Sequence, residues 1–356
     1  MQLKKTYLLA LIPLLSFCSS EKPVITEKPV QPIEKPKAVK QIDSLKFASE
    51  IHLKNIRQLT FGGNNAEAYW SFDNKQIIFQ SDWSEINSQG CDQIYIMNAD
   101  GSPISSGMQY QEVSTGKGRT TCSYFHPNGK IVYSSTHAAN ENCPTAPVFE
   151  GGRYVWAIYD SFDIYAKDSS TAESKLLIGG EGYDAEPTIS PDGKYMIFTS
   201  TRSGDLDLWR YEFETKELKQ ITFLPGYDGG AFFSHDSKKL VWRASRPNDE
   251  ELPIYKDLLS KGLVEPKAMN LYTSDIDGNN VEQITNLPGA NWAPFFHPDN
   301  KRILFSSNHH TMDKGGRVFD IFMIDPSTKK LEQITNSGTF DACLLYTSDA
   351  ADDLLC

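Results

Sequence analysis

The chain has 356 residues, too long for one small sandwich and long enough for a repeat-built domain with a sizeable core. Aromatic residues at 12%, with 24 Gly and 19 Pro, favour many short strands and turns over helices. A formal net charge of -11 argues against a basic face for phosphates, so no nucleic-acid partner is expected.

Residues 1–18 carry Lys4 and Lys5, an apolar run from Tyr7 to Phe17, and then Cys18. The run is far shorter than the roughly 20 residues a spanning helix needs, so it reads as an export signal. Leu15-Ser16-Phe17-Cys18 resembles a bacterial lipobox, with Phe17 standing where a small residue is preferred. That resemblance implies acylation of Cys18 and a membrane contact through the lipid; simple cleavage is the alternative. Residues 19–50 repeat Glu-Lys-Pro with almost no aromatics. They bury too little apolar surface to offset their ordering entropy, and a disordered tether is expected.

From residue 51 a unit recurs, and Gly182–Trp209 is its cleanest copy. An extended run reaches a tight turn at Pro191-Asp192-Gly193, where Pro presets φ and Gly supplies a positive φ. Tyr195–Ser200 and Leu206–Tyr211 follow as strands rich in aromatic and β-branched residues. The polar turn marks five copies: Ser71–Lys75, His126–Lys130, Ser190–Lys194, Ser234–Lys238 and His297–Lys301. A fourth strand of the Gln-Ile-Thr type appears at Arg57–Thr60, Gln220–Thr222, Gln283–Thr285 and Gln333–Thr335. Irregular spacing of the markers describes a basic unit carrying insertions, as a propeller blade would.

This run of Gln-Ile-Thr, Gly-Tyr-Asp, Ser-Pro-Asp-Gly-Lys and Leu-Tyr elements resembles the WD-like β-propeller repeat of the TolB family over residues 57–342. The resemblance implies an all-β, six-bladed propeller of four-stranded blades over 51–342, the last blade incomplete. It makes Arg57–Thr60 the outer strand of that last blade, tying the ends of the ring. No α/β domain precedes the propeller, unlike in TolB itself, so only the fold is carried over.

Gly338–Asp341 begins a sixth unit whose marker turn does not arrive. Residues 343–356 instead resemble the translated read-through of a transposon-type sequencing adapter, and the blade is expected to be cut near Ala342; a divergent acidic tail is the alternative.

In an up-and-down blade, the loop into the inner strand and the loop between the second and third strands share a face. The first of these holds a glycine in every unit: Gly63, Gly118, Gly182, Gly226 and Gly289. Polar and aromatic residues follow, and Asn65, Glu67, Arg119, Tyr183, Asp184, Glu186, Tyr227, Asp228, Asn291 and Trp292 are expected to ring the channel mouth as a ligand surface. Asp184 and Asp228 could equally cap the amides of tight loops. The insertions 82–92, 136–162, 245–269 and 309–318 fall on the same face, where binding groups tend to be placed. Within the longest, Tyr154–Tyr159 reads as a local hairpin, with a lid over the channel as the alternative.

Export permits a disulfide among Cys91, Cys122 and Cys143, with Cys122–Cys143 expected first and Cys91–Cys122 second. His126, His235 and His297 sit in marker turns and read as structural. His137, His309 and His310 are weak metal candidates that could converge with Asp163 or Asp320. No Gly-x-Ser-x-Gly elbow, P-loop or dinucleotide fingerprint occurs, so neither a catalytic residue nor a cofactor is assigned. The expectation is an exported periplasmic or surface propeller that binds an envelope protein, peptide or glycan without catalysis. The competing class is an envelope enzyme, either a metal-dependent propeller lyase or a hydrolase whose catalytic domain lies beyond the cut.

Overall fold

The structure, a computed structural model, describes residues 45–342 except 106, 147–152, 169–170 and 172, all within one compact unit. The export signal, Cys18, most of the tether and residues 343–356 lie outside the described residues.

Five four-stranded antiparallel sheets succeed one another along the chain. Blade 1 is β1 (Asn65–Trp70), β2 (Gln76–Ser81), β3 (Gln93–Asn98) and β4 (Gln111–Glu112). Blade 2 starts with β5 (Thr120–Phe125) and β6 (Lys130–Ser135), passes through an insertion containing β7 (Trp156–Ala157), and ends with β8 (Asp163–Asp168) and β9 (Ser174–Ile178). Blade 3 is β10 (Asp184–Ile189), β11 (Tyr195–Ser200), β12 (Asp207–Glu212) and β13 (Leu218–Gln220). Blade 4 is β14 (Asp228–Phe233), β15 (Lys239–Ser245), an insertion with helix α1 (Leu252–Ser260) and β16 (Leu263–Val264), then β17 (Met269–Asp275) and β18 (Glu282–Gln283). Blade 5 is β19 (Asn291–Phe296), β20 (Ile303–Ser307), β21 (Asp320–Ile324) and β22 (Leu331–Gln333). In each, the first strand lies inward, and β1, β5, β10, β14 and β19 pack side by side in turn.

The blade interiors explain the apolar runs of the sequence. A strand whose two faces are both covered by neighbouring blades reads as continuous hydrophobic residues rather than alternation. Thus β20 and β21 are buried at every residue. Phe79, Phe198, Trp242 and Phe305 fill equivalent layers of their blades.

Two recurrent motifs prove to be hydrogen-bond devices. In the marker turns, Ser190 Oγ accepts the Tyr195 N–H at 3.0 Å and donates to Asp192 at 2.6 Å. His126 and His297 occupy the same turn position, and each Nδ1 accepts a backbone N–H two residues on. In the Gln-Ile-Thr strand, Thr222 Oγ1 accepts the Leu208 N–H at 2.8 Å and donates to Asp207 at 3.0 Å, while Gln220 donates to Asp207 and to its own strand at Thr222 O. Thr335 and Gln333 repeat this on Ile321 and Asp320.

The blade number corrects the sequence expectation: five blades are present among the described residues, not six. Arg57–Thr60 joins no sheet. Its Gln58 Nε2 donates to Thr60 O at 2.8 Å as Gln220 does to Thr222 O, yet among the described residues no third strand pairs with it. It rests on blade 1, where Tyr110 donates to Leu59 O at 2.7 Å and Arg57 to Asp100 O. Just upstream, buried Glu50 accepts the Asn336 N–H at 2.9 Å and His52 meets Glu332 at 2.7 Å, both on blade 5. Residues 50–60 are therefore a single-stranded strap from blade 5 to blade 1, holding together the two ends that a sixth sheet was expected to join.

Candidate functional site

Each inner strand slips register against its second strand at one place. The residue in the slip has a positive φ in every blade: Glu67, Cys122, Glu186, Gly230 and Ala293. Four of these are not glycine, and a left-handed residue bearing a Cβ costs on the order of 1–3 kcal/mol. The five line a small cavity of about 40 Å³ on the channel axis, together with Tyr69, Thr188, Phe232 and Arg243. A bulge turns its side chain out of the pleat, and here the strain sets one residue per blade around a floor.

Arg243 organises that floor. It stands on β15 opposite Gly229, and its Nη2 donates to Glu186 Oε1 at 2.6 Å and to Tyr227 Oη at 2.8 Å. A Cβ at Gly230 would lie 1.6 Å from Arg243 Nη1, and Gly230 is at φ +57, so glycine is what admits the guanidinium. Glu186 is saturated with donors: Tyr227 Oη at 2.6 Å and Arg243 on Oε1, Thr199 Oγ1 and the Gly230 N–H, both at 2.7 Å, on Oε2. Burial pushes this carboxyl up, but Arg243 and those three hydrogen bonds outweigh it and hold the group below the ordinary range. Glu67, at the same position in blade 1, accepts from Tyr69 Oη. Burial dominates there, assisted by the neighbouring Glu186 charge, and its carboxyl is raised. Burial, then Glu67 and Glu186, push the Cys122 thiol well up.

Above the floor lies a cavity of about 790 Å³ walled by Tyr154, Trp156, Tyr159, Phe162, Tyr183, Tyr227 and Trp292. Its cover corrects the expected local hairpin: β7 pairs instead with β16, from the insertion of blade 4, two blades away. Trp156 comes to 5.3 Å from Trp292, which stacks on Phe319 at 4.5 Å, so the bridge crosses the cavity on aromatic contacts. The other end of the blade 2 insertion is held by a disulfide between Cys91 and Cys143. Neither expected pairing forms. Cys122 sits in the bulge facing the channel, whereas Cys91 and Cys143 belong to neighbouring second-to-third-strand loops on the insertion face.

Of the residues expected at the mouth, Asn65, Glu67, Arg119, Tyr183, Glu186, Tyr227 and Trp292 line the cavity. Asp184, Asp228 and Asn291 do not. Asp184 is buried against Arg202 at 2.6 Å, and Asp228 is fully buried between Arg246 and Trp242 Nε1, each at 2.7 Å. Both acids latch the second-to-third-strand loop onto the inner strand through an arginine side chain, a role distinct from capping loop amides. Asn291 donates to Met269 O and accepts from Ser307. His137 packs at a tilt against Tyr165 in blade 2, while His309 bonds Ser307 and His310 pairs with Asp320 in blade 5. Among the described residues no group of three or more His, Cys, Asp or Glu is placed to hold a metal ion.

The sequence reading missed Arg243. A signal existed: the β15 position paired with the residue before the bulge is Gln80, Ser134, Thr199 and Ser306 in the other blades and Arg only here, opposite the Gly229-Gly230 pair.

No family model matches the chain. TolB from Acinetobacter baumannii aligns in structure with a TM-score of 0.56 at 19% identity, over 79% of this chain and 56% of that one. Hydrazine synthase from Kuenenia stuttgartiensis gives 0.52 at 13% identity, over 77% of this chain and 39% of that one. An uncharacterized protein of Agrobacterium fabrum is 41% identical over 49 residues, 14% of this chain and 17% of its own length. The chain thus spans little over half of that TolB and a small part of the curated relative. At these identities the likeness is one of fold: an all-β propeller of the TolB type, with four-stranded blades.

Proposed function

We propose that this protein is a non-catalytic binding propeller of the bacterial envelope, and that its covered cavity takes an extended segment of an envelope polypeptide. One observation carries the reading. The cavity of about 790 Å³ has a wall of aromatic side chains, and Asn65, Gln80, Asp92, Arg119 and Thr121 add polar groups to the same lining. A polypeptide backbone offers carbonyls and amides to such polar groups while the aromatic walls bury its side chains. The TolB-type fold, used here as analogy, and the export signal read over residues 1–18 support an envelope setting. No helix among the described residues is long and apolar enough to cross a membrane.

The test is capture from envelope extract on immobilised protein, comparing wild type with Trp292→Ala and Arg119→Ala. Loss of a polypeptide partner in both variants, with unchanged melting temperature, is expected. Unchanged partners would move the site off the cavity. Retention of glycan alone would replace the polypeptide by a saccharide.

A further inference from the structure

The floor ring carries an unbalanced charge. Glu67 and Glu186 contribute two carboxylates and Arg243 one guanidinium, and Arg243 spends its hydrogen bonds on Glu186 and Tyr227, acting on Glu67 only through space. The hydroxyl that donates to Glu67, that of Tyr69, is neutral. A buried carboxylate without a cation of its own is costly, and a proton or a bound cation relieves the cost. The small cavity beneath it is about 40 Å³, room for a head group of a few atoms. Glu67, Cys122, Glu186, Arg243 and Ala293 line both this cavity and the aromatic-walled one above, so the two are continuous in their lining. Trp156, Tyr183, Tyr227 and Trp292 in the upper walls suit an alkyl stem and stabilise a cation passing their faces.

Resting on the reading of the cavity as a polypeptide site, we propose that the floor of the channel is a receptor for a primary ammonium on an alkyl stem, the side chain of a lysine in the bound segment, with Glu67 as its counter-ion. Bringing in one positive charge makes the ring neutral. The groups facing Glu67 are Tyr69 on its own strand, Cys122 on β5, Glu186 in blade 3 and Arg243 in blade 4, with Tyr183 and Tyr227 in the wall of the larger cavity above. Burial pushes Cys122, Tyr183 and Tyr227 up and keeps them neutral, while the surrounding acids hold Arg243 charged and Arg243 holds Glu186 charged. Glu67 is the ring carboxyl that burial raises above its ordinary value, so its charge is the first of the two to be lost as pH falls, while an alkylammonium stays protonated. Affinity for the cation therefore rises as pH rises from the ordinary carboxylate value of 4.5 through the raised value in the fold, and then levels off.

The experiment is calorimetric titration of the whole chain with n-pentylammonium and, separately, n-pentanoate. Expected results are binding of the amine, weakening by about tenfold or more in Glu67→Gln, and a pH profile that is flat in that variant. Glu67→Gln removes a buried charge and keeps its volume; its melting curve checks the fold, and Cys122→Ser, of similar size and uncharged, checks that the loss belongs to the carboxylate. Preference for pentanoate would overturn the proposal and assign the floor to Arg243 Nε. Amine binding unaffected by Glu67→Gln would also overturn it. If the amine fails while Trp292→Ala still loses its envelope partner, only the lysine assignment falls. If the amine binds and no polypeptide is captured, the polypeptide reading falls instead.

Discussion

Glu67 and Glu186 are the same residue at the same bulge of two blades, and the fold drives them in opposite directions. The difference is not their burial but what the neighbouring second strand supplies. Opposite Glu186 stand Thr199 and Arg243, whereas the hydroxyl of Tyr69 is what reaches Glu67. Alignment of the loop glycines was enough to single out both acids, since each falls a fixed distance beyond its glycine. It could not rank them, because the ranking is made by a side chain from another blade. Gly230 shows the dependence. Gly230→Ala places a Cβ where the guanidinium lies and asks for a left-handed alanine, so Arg243 must leave Glu186. Stability should fall by about 3–5 kcal/mol, the cost of breaking a buried pair, measured by denaturant unfolding. A loss under 1 kcal/mol would mean that the arginine relocates without penalty.

Among the elements, those built from contacts near in sequence were legible and those built across blades were not. The marker turns and the second and third strands carry their own instructions: a Ser or His acceptor, a Pro or Asn, a Gly, then a continuous apolar run. The Gln-Ile-Thr strand was legible for the same reason, since both its polar residues grip the strand just before it. β7 was not. Its partner Leu263–Val264 lies in a different insertion, and no local periodicity specifies a partner so far along the chain. The Cys91–Cys143 link is equally non-local, joining loops of adjacent blades. The bridge over the cavity is thus fastened at one end covalently and at the other by two strand residues. Cys91→Ser with Cys143→Ser should raise amide exchange at Trp156 and Ala157 severalfold while β11 and β12 stay protected. Equal protection in both forms would show that the aromatic contacts of Trp156 hold the bridge unaided.

At the scale of the whole molecule, the repeat gave the architecture while the blade count departed from it. Five blades stand among the described residues, and the strap of residues 50–60 spans from the last to the first. Glu50 was read as the end of a tether because its surroundings are polar and Pro-rich, yet it is 2% exposed and bonded to two segments, the Phe47 and Asn336 amides. Its partner amide comes from the opposite end of the propeller, which a one-dimensional reading has no means to show. Glu50→Ala leaves the Asn336 N–H without its acceptor and should cost about 1–3 kcal/mol, read as a lower melting temperature with blade 5 exchanging first. Unchanged stability would reduce the strap to a surface contact.

That strap also sets an order of folding events. Glu50 is made before any blade, and the amide it holds is 286 residues away. Blades 1 to 4 pair within themselves and can condense as they emerge, because their contacts are local and their loops short. The clasp between Glu50 and Asn336 closes the longest loop in the described chain, the entropically dearest contact to make. Closure of the clasp therefore waits until blade 5 has formed. Until blade 5 has formed, the propeller is an open arc whose first residues wait for their partner.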